Sequence, residues 1–332
     1  MKQVRWLALA LALTAAAGHA AKTLDIYFID VEGGQSTLIV SPSGQSLLVD
    51  TGFAGNSGRD AERILKAAKL VGVKKIDYLM ITHFHSDHVG GVENLLTRLP
   101  VATFLDHGGS VEEEGKYPEA YAKAFAGSQH DVLKPGDKIA VKGLDITVLS
   151  AAGRAVNAGG APNASCAGFE PHPQGVGSES GENPQSNAIV VQFGKFRFAD
   201  LGDLTYNKQL QLLCPQNKIG KIDLYLGTHH TGETLSPIGA LNSRVSIMNN
   251  GARKGGNPAD WKIIKATPGL EDIWQLHFAV AGGTETNAPD AFIANVDEQC
   301  TGNYLKVSAS ENGSFTVYNP RNKFSKTYPV RQ

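Results

Sequence analysis

Thr82-His83-Phe84-His85-Ser86-Asp87-His88-Val89-Gly90-Gly91 places three histidines and one carboxylate at His-x-His-x-Asp-His spacing. The apolar run Ile76 to Ile81 leads in and reads as a buried strand, with the cluster on the loop at its end. Imidazole suits zinc, and carboxylate suits harder ions such as Mn²⁺ and Mg²⁺. Four donors so close along an extended loop cannot all reach one ion. The reading is two ions side by side, with His83 and His85 facing one, and Asp87 and His88 facing the other. Ten histidines are spread over 332 residues, so three of them beside a carboxylate is not an accident of composition.

Working outward, the chain opens as a secretory precursor. Lys2 and Arg5 precede an apolar stretch, Trp6 to Ala17, and Gly18-His19-Ala20 puts small residues at the −3 and −1 positions of a cut after Ala20. That stretch is short of the roughly 20 residues a membrane span needs. The expectation is a signal peptide over 1–20, a periplasmic or secreted mature chain over 21–332, and no membrane partner after cleavage.

A formal charge of −1 supplies no field to recruit nucleic acid. At 42% hydrophobic residues there is material for a large core. The three cysteines, Cys166, Cys214 and Cys300, form no C-x-x-C pair, which argues against a cysteine zinc site. Export allows one disulfide, with Cys166 pairing with Cys214 or Cys300.

Short strands are expected at Leu24 to Val31, Ser36 to Val40 and Gln45 to Val49, then a helix over Arg59 to Ala68 and a strand over Val101 to Leu105. Glu112 to Phe125 reads as an exposed helix, with Glu112-Glu113-Glu114 a solvated face. Residues 151–185 shift to Gly, Ala, Pro, Ser and Asn, too long for an ordinary connection. A second set of strands follows: Ala188 to Phe193, Phe196 to Leu201, Ile222 to Leu226 and Arg244 to Met248. Two sets of strands, each followed by helices, predict two sheets face to face with helices outside. This is a four-layer αββα sandwich with the metal loop at the shared edge.

At these residues the chain resembles the metallo-β-lactamase-fold hydrolases, and within them the soluble hydrolase domain of ComEC-type competence proteins. Four stretches carry the resemblance: Phe28 to Val31 with Gly33 to Ser36, Leu47 to Gly52, the metal loop, and Ile222 to His230 with Thr231-Gly232 and Ser236. It implies a bridging aspartate at Asp203, with Asp200 the competitor, and a ligand at one of His229 and His230, with His230 favoured. The other histidine of that pair would contact substrate or protonate a leaving group. Asp87, His229 and His230 are the catalytic candidates. Asp30 and Asp50 would orient ligands from behind, and the loop Met248 to Gly256 offers Arg253 and Lys254 to an anion.

Two departures stand out. Where many members carry Gly-His-Thr-Pro-Gly-Ser, this chain has Gly181-Glu182-Asn183-Pro184-Gln185-Ser186. Glu182 or Asn183 is then expected to complete the first ion's shell, with His172 the substitute. Gln35 stands where the resemblance implies an aspartate, so substrate choice should differ. The implied chemistry is hydrolysis at two divalent ions, zinc foremost, on a small molecule or phosphodiester. The alternatives are a lactamase- or lactonase-type acyl hydrolase and a non-catalytic metal-binding scaffold.

Overall fold

A computed structural model describes residues 23–112, 116–173, 179–233 and 236–331. The expected leader over 1–20 lies outside these residues, as do Glu113 and Glu114.

The strand Leu24–Phe28 shows how the layers form. Leu24, Ile26 and Phe28 point into one core cluster, while Tyr27, followed by Ile29 and Val31, faces a second. A strand buried on both faces reads as a continuous apolar run rather than an alternating one. One sheet runs Phe324–Tyr328, Phe315–Asn319, Leu305–Ala309, Leu24–Phe28, Thr37–Val40, Ser46–Val49, Ile76–Met80, Val101–Asp106, Gln129–Val132. The other runs Ile293–Asn295, Asp272–His277, Val245–Met248, Leu224–Leu226, Phe196–Asp200, Ala188–Phe193, Asp145–Ala151, Lys138–Ile139. Ile26, Ile39, Val49 and Met80 of the first meet Ile189, Phe198, Leu226 and Trp274 of the second in the central core.

The outer layers follow from helical spacing. Arg59–Leu70 buries Ala61, Ile64, Leu65 and Ala68 against the outer face of the first sheet, beside Leu38, Leu48 and Leu79. Tyr206–Leu213 and Pro258–Lys265 place Leu212, Leu213 and Ile264 on the outer face of the second. The result is the αββα sandwich.

Ser46–Val49, Ile76–Met80 and Val101–Asp106 run parallel, and so do Phe196–Asp200, Leu224–Leu226, Val245–Met248 and Asp272–His277. Parallel strands end at the same edge, and the loops after them gather there. The loops carrying Asp50, His83 to His88, Asp203, His229-His230 and Lys254 all leave such ends. This is the general place for a site in an open parallel sheet.

After the metal loop the chain forms two short helices, Ser86–Val89 and Val92–Leu96, and Gly90-Gly91 between them packs against the backbone of the Asp50 turn. A Cβ on Gly91 would lie 2.2 Å from the Thr51 carbonyl oxygen, so only glycine permits that approach. Cys166 is bonded to Cys214, which ties the Gly/Ala-rich insert to the end of a helix, and Cys300 is free.

Candidate metal centre

Asp50 organises the site from beneath. It is fully buried at the end of Ser46–Val49, and its carboxylate accepts from the Thr82 backbone N–H (2.8 Å) and the Thr82 hydroxyl (2.7 Å). His88 Nδ1 lies 2.7 Å from the same carboxylate. That contact turns His88 Nε2 outward, toward the position of an ion. Ligating histidines are oriented by such partners, so the expected supporting role of Asp50 is what its geometry provides. Asp30 does not share it: its carboxylate faces Arg63 and His277 instead.

His83 Nε2 and His85 Nδ1 converge to 3.0 Å. His85 Nε2 lies 3.2 Å from Glu112 Oε1, so Glu112 backs His85 as Asp50 backs His88. Sequence reading placed Glu112 on a solvated face. No local signal marks its role, which depends on a loop brought across from 27 residues away.

On the other side, ligand atoms of Asp87, His88, Asp203 and His230 all lie within 4.8 Å of one another, and all four residues are buried. Asp203 Oδ2 stands among the rings, 3.2 Å from His88 Nε2, 3.4 Å from His230 Nε2 and 3.9 Å from His83 Nε2. Asp200, the competitor for this place, is turned away. Gln35 Nε2 donates to both its oxygens (3.0 and 3.2 Å), and burial pushes its carboxyl up to about 7 despite the Gly202 N–H and Gln35. Gln35 therefore reads as the amide partner of a buried acid, 2% exposed, rather than as a substrate contact. An aspartate in its place would set two carboxyls against each other.

His229, His230 and Thr231 follow one another at φ of 51°, 54° and 61°. Left-handed backbone on three successive non-glycine residues costs roughly 1 kcal/mol or more apiece and persists only when the surroundings hold it. Gly202 O accepts from the His229 N–H, His230 O from Gly256 N–H and Thr231 O from Asn257 N–H. The turn separates the two rings. His230 goes inward, with Nε2 3.1 Å from Asp87 Oδ2. His229 stays at the mouth, its Nδ1 3.0 Å from Glu233 Oε2 and its Nε2 3.5 Å from Asp203 Oδ2.

The charge state of the centre follows from this crowding. Burial opposes ionisation of Asp87 and Asp203, but the His88 and His230 rings hold both carboxyls well below the usual range. Burial, with His88 beside it, pushes His83 well below its ordinary value, leaving a neutral imidazole suited to a metal. Burial would lower His88 too, yet Asp203, Asp87 and Asp50 outweigh it and hold its proton. The pocket thus carries a surplus of negative charge that a cation would satisfy. The donor set fits such an ion: among the described residues His88 Nε2, His230 Nε2 and Asp203 Oδ1 are buried with no hydrogen-bond partner, and the two ring nitrogens crowd the Asp87 and Asp203 carboxylates.

Glu182 is not part of this convergence. Its Oε2 accepts from the Phe84 N–H (3.0 Å) and faces His107 Nε2 (2.9 Å). Its Oε1 accepts from the Ser110 hydroxyl and the Val111 N–H, both at 2.8 Å. Every lone-pair direction is engaged behind the metal loop. The expected role as a ligand is replaced by that of a buried latch between three loops. Burial would raise its carboxyl, but His107 and the two N–H groups hold it at about 2. His172 is no substitute: its ring stacks on Tyr206 at 4.0 Å. In the 248–256 loop, Arg253 pairs with Glu298 at 2.7 and 2.8 Å, while Lys254 Nζ is ion-paired with Asp87 Oδ2.

Residues 29–170 match the family model of the Metallo-beta-lactamase superfamily. ComE operon protein 3 of Bacillus subtilis is 27% identical over 139 residues, covering 38% of this chain and 18% of that protein. The chain thus matches about a fifth of that relative's length. Among solved structures, the metallo-beta-lactamase fold protein YhfI from Bacillus subtilis has a TM-score of 0.46 and 14% identity, covering 76% of this chain and 95% of that one. Tm1679, a metal-dependent hydrolase of the beta-lactamase superfamily, has a TM-score of 0.46 and 15% identity, with coverage of 77% and 97%.

Proposed function

We propose that the protein is an exported hydrolase that holds two divalent ions, zinc foremost, and cleaves a small phosphodiester. The observation that carries this is Asp203, whose carboxylate stands between His83 on one side and His88 and His230 on the other. Two bound ions would supply a water of lowered pKa as nucleophile and would polarise the scissile group. The chain's own residues do the rest. Asp50 and Glu112 hold His88 and His85 in the ligating orientation. Burial lowers the affinity of His229 for its proton, but the Glu233 contact and Asp203 raise it above the ordinary value, so His229 holds a proton at the mouth for a leaving group. Lys254, partly exposed beside Asp87, offers a cation to an anionic substrate.

That cation favours a phosphodiester over a neutral acyl substrate, and the formal charge of −1 favours a short one. With zinc added, a chromogenic phosphodiester should be hydrolysed and a chromogenic lactam should not. Turnover of the lactam alone would move the assignment to acyl hydrolysis. Retained metal with neither activity would make the protein a scaffold.

The Cys166–Cys214 bond supports export, since disulfides persist in oxidising compartments. The mature product of a secreting host should lack residues 1–20 by intact mass; a product retaining them would contradict export.

A further inference from the structure

A second group of unlike donors lies outside the centre described above. Asp30 and Glu32 come from the turn after Leu24–Phe28, His277 from the end of Asp272–His277, and Cys300 from the segment before Leu305–Ala309. One ligand atom from each lies within 4.8 Å of the other three. His277 Nε2 is 2.9 Å from Asp30 Oδ1, 3.5 Å from Glu32 Oε2 and 3.7 Å from Cys300 Sγ. Cys300 Sγ is 3.3 Å from Asp30 Oδ2 and 3.5 Å from Glu32 Oε1. Asp30 and His277 are buried, whereas Glu32 and Cys300 are partly open to solvent, which leaves an entry path.

We propose that Asp30, Glu32, His277 and Cys300 form a separate site for a borderline-soft divalent ion such as zinc or cobalt. One sulfur, one imidazole nitrogen and two carboxylates make a four-donor set of the kind tetrahedral zinc accepts. No two of these residues need come from a C-x-x-C motif, so cysteine spacing could not reveal it.

Proton bookkeeping is consistent with the binding. The ion replaces the Cys300 S–H proton and takes the Nε2 lone pair of His277, whose proton leaves or shifts to Nδ1. That Nδ1 is buried and has no hydrogen-bond partner among the described residues, so no outer contact seen there fixes the present tautomer. Arg63 remains as the counter-charge: its Nη1 donates to Asp30 Oδ2 at 2.8 Å and its Nη2 to Glu32 Oε1 at 3.0 Å, with Cys300 Sγ at 3.5 Å. With a dication, a thiolate, two carboxylates and one guanidinium, the bound cluster is neutral.

The site would tie the first strand's turn to a residue 270 positions away. It would also brace the loop that carries Lys254, because Asn250 Nδ2 donates to the His277 carbonyl at 2.9 Å. A bound ion there is therefore a structural clamp behind the mouth of the first centre, held by residues the first centre does not use.

The test is titration of the full chain, disulfide intact, with Co²⁺ alone. Among the three cysteines only Cys300 is a free thiol, so thiolate-to-cobalt charge-transfer absorption reports this site and no other. The expected result is such a band, with a saturated intensity that corresponds to one thiolate-bound cobalt per chain. Cys300→Ser should abolish it and lower total bound cobalt by one equivalent, while the ligand-field bands of the histidine-aspartate centre persist. His277→Gln should weaken the band at least tenfold in cobalt concentration. No charge-transfer band at saturating cobalt in folded wild type, or a band that survives Cys300→Ser, overturns the proposal. In the first case Asp30, Glu32, His277, Cys300 and Arg63 are a hydrogen-bonded network only. Because the readout is sulfur-specific, it stands or falls separately from hydrolysis at the first centre.

Discussion

Asp203→Ala is expected to abolish metal binding on both sides of the centre and to lower hydrolysis by at least about a thousandfold. The reason is position. Its Oδ2 lies within 4 Å of ring nitrogens of His83, His88, His229 and His230. Removing it leaves His83 and His85 as two donors on one side, too few for a tight zinc shell. On the other side it leaves Asp87, His88 and His230 with one carboxylate to offset a dication. Asp203→Asn separates charge from shape: it keeps the volume and should still lose most of the metal. Metal content per chain after dialysis, measured on protein whose circular dichroism is unchanged, checks both variants. Two retained equivalents in Asp203→Ala would show that the bridge is elsewhere.

Glu182→Gln is expected to destabilise the fold by about 3 kcal/mol near neutral pH, because a buried carboxylate with imidazole, hydroxyl and N–H partners is broken on one side. The sign of the pH dependence follows from its position at about 2, below the ordinary 4.5. Such a group contributes stability that is fully present above the ordinary value and is lost as pH falls toward 2. The gap between wild type and Glu182→Gln should therefore be wide above pH 5 and shrink as the solution is acidified. Urea unfolding midpoints across that range measure it. A gap that does not change with pH would remove the charge from the account. Glu182→His should not add zinc to the first side, since the side chain points at Phe84, His107, Ser110 and Val111.

These two residues also mark what the sequence could and could not reveal. The resemblance pointed to Asp203, and the structure sets its carboxylate among the ring nitrogens of the centre. It left His229 and His230 open with His230 favoured, and the structure turns the His230 ring inward. Glu182 sat in the slot where a ligand was expected, but its direction is set by His107 and Ser110, which lie 75 and 72 residues away and give no local signal. Asp30 was expected behind a ligand, while its partner His277 is 247 residues distant.

The same distinction holds for the fold. Doubly buried strands such as Thr37–Val40 and Ala188–Phe193 declare themselves by apolar runs. The edge strands Gln129–Val132 and Phe324–Tyr328 do not. Gln-His-Asp-Val is almost wholly exposed, and Phe-Ser-Lys-Thr-Tyr turns the hydroxyls of Ser325 and Thr327 outward. Polar edges protect a sheet from pairing with another chain, and that same polarity hides them from hydrophobic pattern.

Anomalous diffraction from crystals of the zinc-loaded chain tests the central claim most directly. The account predicts two peaks flanking Asp203, one beside His83 and His85, the other beside Asp87, His88 and His230. A single peak at Asp203, or zinc bound only away from it, would contradict a two-ion centre.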